Sequence, residues 1–136
     1  MSYTHRDNSD EVLRLLDKAI VRGLEAIGVE AEKNAKTDPQ MPVDTGRARN
    51  SITYALSGER AHIQSYSGDK GEEGGTYEGT AEGKKGEAVY IGSNVEYFPT
   101  IELGGVNMTA RHVLQRSAAD HAQEYRDIMS DSIANA

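Results

Sequence analysis

Apolar positions fall into two long helical stripes separated by a stretch of shorter period. From Val12 they continue through Leu13, Leu16, Ile20, Leu24, Ile27, Ala31 and Ala35, at spacings of three and four that define one helical face. Arg14, Asp17, Lys18, Arg22, Glu25, Glu32 and Lys33 line the other side. Asn8, Ser9 and Asp10 are N-cap types, and Glu11 follows Asn8 by the three residues of a capping box. The pattern predicts a polar arm over residues 1–8 and a helix over residues 9–35. Gly23 and Gly28 fall inside that helix. Each costs about 1 kcal/mol relative to alanine, so they mark close packing or a bend. The second stripe is Val113, Leu114, Ala118, Ala122, Tyr125, Ile128, Met129 and Ile133, and it predicts a long C-terminal helix with Thr109 as its N-cap.

Between the stripes the period drops to two. Ile52, Tyr54 and Leu56 alternate with Thr53 and Ala55 as a half-buried strand should. A turn at residues 57–59 and a weaker alternation over residues 61–66 predict a hairpin. Val89 and Ile91 against Tyr90 predict a further strand over residues 88–93. Pro99 suits the first turn of a short helix over residues 97–103, ended by Gly104 and Gly105. The segment at residues 67–87, SGDKGEEGGTYEGTAEGKKGE, holds seven of the 14 glycines and no aliphatic residue larger than alanine. It reads as an extended Gly-rich loop, or as a long hairpin around Tyr77. The expected fold is α+β: a small, mainly antiparallel sheet packed with a long N-terminal and a long C-terminal helix. All 136 residues fit one domain.

The corner PVDTGRARNSI, residues 42–52, joins the first helix to the β part. Pro42 biases Met41 towards extended structure. Asp44 is a good N-cap, with Thr45, Gly46 and Arg47 forming the first turn and Arg49 or Asn50 closing it. Its two arginines are either solvated charges on a connector or face a partner.

Composition narrows the function. Only 37% of residues are hydrophobic and none is tryptophan, so much of the chain lies outside a core. A formal charge of −7 disfavours general nucleic-acid binding. The absence of cysteine excludes disulfides, thiolate metal sites and cysteine nucleophiles. No apolar run is long enough to span a membrane, and a soluble chain without a secretory signal is expected. His5, His62, His112 and His121 fit no metal spacing. The Gly-rich segment lacks the spacing of a phosphate-binding loop and is net acidic. No calcium-loop pattern or nucleophile elbow occurs. No enzyme and no cofactor are expected. Tyr54, Tyr66, Tyr77, Tyr90, Tyr97 and Tyr125 favour protein contacts, because tyrosine is enriched at interfaces.

Three segments, PVDTGRARNSI at 42–52, VYIGSNVEYFPTIELGG at 89–105 and MTARHVLQRSAADHAQEY at 108–125, occur in that order. Together they resemble the tail-completion, or head–tail connector (neck), proteins of long-tailed bacteriophages, over about three quarters of the chain. Members show a leading helix, a P-V-D-T-G-R-L-R-x-S-I corner, a V-x-I-G-S-N-V-x-Y-A-x-x-x-E-x-G strand and corner, and an A-R-P-F-L-x-P-A segment opening the last helix. This chain departs at Ala48, at Phe98, at residues 111–114, where the usual proline and aromatic are missing, and in the length of residues 67–87. The resemblance implies a virion structural protein without catalytic activity, made in the bacterial host cytoplasm. It implies a homo-oligomeric ring of six subunits, or of twelve, between other neck, connector and tail proteins. DNA would pass through the ring without specific binding, and no membrane is involved. Asp44, Arg47, Arg49, Tyr77, Tyr97, Phe98 and Glu102 become the expected interface residues. The rival readings are a small prophage-encoded binding or regulatory module that forms no ring, and a hydrolase with a dispersed site.

Overall fold

A computed structural model describes residues 9–42, 46–59, 65–66, 75–76, 81–93, 95, 97–106 and 109–136. Helix α1 (Ser9–Lys36) forms where the first stripe predicts it, with Asp10 and Glu11 in its first turn and Lys33 and Lys36 in its last, as the helix dipole favours. There follow α2 (Arg47–Asn50), β1 (Thr53–Leu56), β2 (Ser65–Tyr66), β3 (Gly75–Thr76), β4 (Val89–Gly92), α3 (Phe98–Leu103), α4 (Val113–Ala119) and α5 (Ala122–Ala134). The fold is α+β, with a long N-terminal helix, a C-terminal helix and a small antiparallel sheet.

The sheet adds a pairing beyond the expected hairpin. β1 pairs with β4 in the register Thr53↔Gly92, Tyr54↔Ile91, Ala55↔Tyr90 and Leu56↔Val89. Residues 61–64 lie outside the described residues, and Ser65 and Tyr66 pair instead with Thr76 and Gly75. The β4 pairing places Val89 and Ile91 beside two separate apolar clusters. β1 is also not half-buried: all four of its residues are buried. Its alternation separates two covered faces rather than a core from water.

Ser57 fixes the end of this ladder. Its buried hydroxyl donates to the Lys84 carbonyl at 2.6 Å and accepts from the Ala88 amide at 3.0 Å. Gly58 donates to the Ala81 carbonyl, and the Ala81 amide donates to Glu59. The last part of the Gly-rich segment, residues 81–87, is therefore tied to the β1 turn. Gly58 and Gly83 adopt positive φ there, which glycine tolerates without steric cost.

Two clusters make the core. One joins Leu24 of α1 to Tyr54 and Leu56 of β1. The other joins Ala35, Met41, Ala48, Ile52, Val95, Phe98, Ile101 and Val113. The helix glycines mark close packing. A Cβ on Gly28 would lie 2.5 Å from the Tyr54 ring, and one on Gly23 would lie 2.6 Å from the Met129 sulfur. The Tyr54 hydroxyl donates to Glu25, which locks that ring over Gly28. Burial, then the neighbouring Glu25 carboxylate, pushes the phenol well above its ordinary pKa.

The C-terminal segment is two helices rather than one. α4 does not start at Thr109. Its N-cap position is His112, in a left-handed conformation with φ 51° and no side-chain cap. The chain bends again at Asp120–His121. There the Tyr125 hydroxyl takes the Ser117 carbonyl and itself accepts from Asn34 of α1. α5 then runs back along α1, with Ser132 donating to the Ala19 carbonyl at 2.6 Å.

Candidate functional site

The described parts of the segments at 42–52, 89–105 and 108–125 meet in one junction at the C-terminal end of α1. Asn50 closes α2 by donating to the Gly46 carbonyl at 2.8 Å. Gly46 itself has φ 76° and precedes the helix, so it is not part of the first turn as expected. Ser51 then bonds the Ala48 carbonyl at 2.7 Å and shares a 2.5 Å hydroxyl–hydroxyl contact with Ser93. Ser93 accepts from the Val95 amide at 3.1 Å. The first segment is thus pinned to the second by two serines, with Ile52, Val95, Phe98 and Ile101 packed beneath.

Glu102 joins the second segment to the third. Its two carboxylate oxygens accept from the amides of Leu114 (2.8 Å) and Gln115 (3.0 Å), so a residue ten positions earlier supplies the missing cap of α4. The Arg111 and His112 amides bond the Ile101 and Glu102 carbonyls. These contacts hold His112 in a backbone region that L-residues avoid by roughly 1–2 kcal/mol. The Arg111 guanidinium donates to the Gln40 carbonyl at 3.1 Å. Arg116 grips Asp38 in a two-point pair at 2.9 and 2.8 Å. That hydrogen bond is the main cause holding the Asp38 carboxyl below its ordinary pKa.

The expected interface residues divide into three groups. Asp44 and Tyr77 lie outside the described residues. Arg47 opens α2, and Arg49, half-buried, reaches the Asn50 side chain at 3.4 Å. Tyr97 is at the surface, before α3. Phe98, expected at a contact, is 3% exposed and belongs to the core. Glu102 is engaged within the subunit as a cap. Tyr54 and Tyr125 likewise bond inside the fold. Sequence reasoning missed the roles of Ser51, Ser57, Asp38 and Arg116. The only signal for Asp38 was its turn-forming pairing with Pro39.

The junction leaves two large apolar side chains facing outward. Leu103 is 72% exposed and Val106 wholly so, at the corner between α3 and α4. At the opposite end of α1, Val12, Leu13 and Leu15 are also exposed. α5 does not cover them: its last anchored turn bonds Ala19, and the helix ends at Ala134.

Among the described residues no group of His, Asp or Glu could hold a metal ion, and no helix is long and apolar enough to cross a membrane. No protein-family model matches this chain, and no curated protein or solved structure matches it either.

Proposed function

We propose that this chain is a structural subunit of a phage head–tail joint, forming a ring that completes the neck or tail top and leaves a channel for DNA. The observation that carries the reading is the pair of exposed apolar surfaces at opposite ends of α1. One is in the first turns, where Val12 and Leu13 are exposed. The other is the Leu103–Val106 corner, which follows the cluster that packs against Ala35. A 28-residue helix is about 42 Å long, so the two surfaces are far apart and built from different segments. Contacts between unlike surfaces are heterologous, and they close into rings when the rotation allows. The order of the three sequence segments supports the same reading. So does the junction: it uses them to build one rigid corner rather than a cleft with reactive groups. Six subunits, or twelve, would surround DNA without gripping it, as a net charge of −7 favours.

Antibody labelling of purified virions in negative stain tests the location, and light scattering of the purified chain tests the assembly. Label at the head–tail joint together with a six- or twelvefold species is the expected result. A strict monomer at high concentration whose antibody leaves the joint unlabelled would overturn the proposal in favour of a small binding module.

A further inference from the structure

An acidic chain has one conspicuously basic surface. Arg14, Lys18 and Arg22 follow one another at intervals of four along α1, all exposed, and the row spans about 12 Å. They border a groove of about 570 Å³ whose far wall is Lys85 and Gly86. Among the described residues Asp17 is the single acid on it, and Ile20 and Val21 supply apolar surface. Lys85 pairs with Glu59 at 3.7 Å. Arg14, Lys18 and Arg22 form no ion pair among the described residues. Three unpaired cations on one helical face repel one another modestly, so an opposite charge laid along them is favourable.

The same chain carries the complement. Residues 69–82 hold Asp69, Glu72, Glu73, Glu78 and Glu82 against Lys70 alone. Of the described residues in and beside it, Ala81 is bonded to Gly58 and Glu59, and β3 pairs with β2. We infer that the groove beside Arg14, Lys18 and Arg22 receives the acidic segment 69–82 of a second copy of this chain. The inference rests on the ring reading, which requires two unlike, complementary surfaces on each subunit. Copies with a charge of −7 repel at long range, and a local basic surface meeting a local acidic one offsets that repulsion. A nucleic-acid backbone is the weaker occupant. Affinity for a phosphate backbone grows with the number of phosphates neutralised, whereas this row offers three cations beside an acid, on an acidic body. The apolar floor also suits a peptide better than a phosphate chain.

A charge exchange tests this. One variant carries Arg14→Glu, Lys18→Glu and Arg22→Glu. The other carries Glu72→Lys, Glu73→Lys and Glu78→Lys. Each alone sets like charges against like and should self-associate at least tenfold more weakly by sedimentation. An equimolar mixture should restore association, which should again weaken with added salt. Circular dichroism and thermal melts check folding, and an Arg14→Gln, Lys18→Gln, Arg22→Gln variant should lose part of the association without charge reversal. If both variants associate like the natural chain, the groove is idle and the inference falls while the ring reading stands. Loss in each variant without recovery on mixing would place the contact within one chain and overturn it. Binding of a fluorescent DNA duplex that depends on the three cations would identify a phosphate backbone as the occupant instead. Absence of self-association by the natural chain at every concentration would remove the ring reading and this inference together.

Discussion

The two ends of α1 share one amphipathic pattern and have opposite fates. At the C-terminal end, Ala35 is sealed beneath Met41, Ile52, Phe98, Ile101 and Val113, and Asp38 just beyond it is clamped by Arg116. At the N-terminal end, Val12 and Leu13 carry the same stripe into solvent at 59% and 56% exposure. A helical stripe therefore reports that a face is apolar, not that its own subunit covers it. In a chain this poor in hydrophobic residues, the uncovered half is where to look for a partner.

The sealed end should break hard. Phe98→Ala removes the largest side chain of that cluster and should cost about 3–5 kcal/mol, read as a drop in the urea midpoint. A loss below about 1 kcal/mol would mean that the cluster is loosely packed and that the contrast between the ends is shallow. Midway along the helix the contrast can be graded. Gly28→Ala drives a Cβ into the Tyr54 ring, which its hydroxyl bond to Glu25 prevents from moving, and should cost about 1–3 kcal/mol. Gly23→Ala meets only the far end of Met129, a side chain that swings aside. The propensity gained offsets that shift, so the change should stay within about 1 kcal/mol. Equal losses at the two glycines would show that α5 grips α1 as tightly as β1 does.

The clamp gives a pH signature. The Asp38 carboxyl titrates below its ordinary value because Arg116 bonds its charged form. The stability it contributes is therefore present above the ordinary carboxylate range and lost as pH falls through the depressed value. Asp38→Asn should cost about 1 kcal/mol at neutral pH, and its deficit should shrink towards zero in acid. A deficit that persists unchanged in acid would mean that the Gln40 turn, not the ion pair, carries the contribution.

Much of this architecture was legible because it depends on local signals. The period of α1, the Pro99 start and Gly104 end of α3, and the Val89–Ile91 strand all follow from neighbours in sequence. What was not legible depends on distance. The partner of β1 lies beyond the whole Gly-rich segment, and nothing near Thr53 announces Val89. The last helix appears continuous in its periodicity, yet it breaks where Tyr125 bonds Ser117 and accepts from the distant Asn34. Glu102 and Phe98 were expected outward because their motif suggested contact. Glu102 instead caps α4 across the corner, and Phe98 fills the core, so the corner residues act on the fold before they reach any neighbour. The candidate surfaces were only half visible: the stripe showed Val12 and Leu13 as apolar, but only the short reach of α5 leaves them bare.

The mildest substitution for the fold is also the sharpest for the comparison. Val12→Ser with Leu13→Ser changes two side chains that already face solvent, so unfolding should shift by no more than about 0.5 kcal/mol. Burying such side chains against a partner is worth about 1.5–3 kcal/mol each, and each 1.4 kcal/mol is about tenfold in affinity. The double variant should therefore keep its melting temperature and lose self-association by at least tenfold in analytical ultracentrifugation. The matching change at the other surface, Leu103→Ser with Val106→Ser, should do the same, because a heterologous contact needs both of its unlike halves. If the first variant instead melts several degrees lower with assembly intact, the first turns of α1 are covered within the subunit. The two ends of the helix would then differ in degree rather than in purpose.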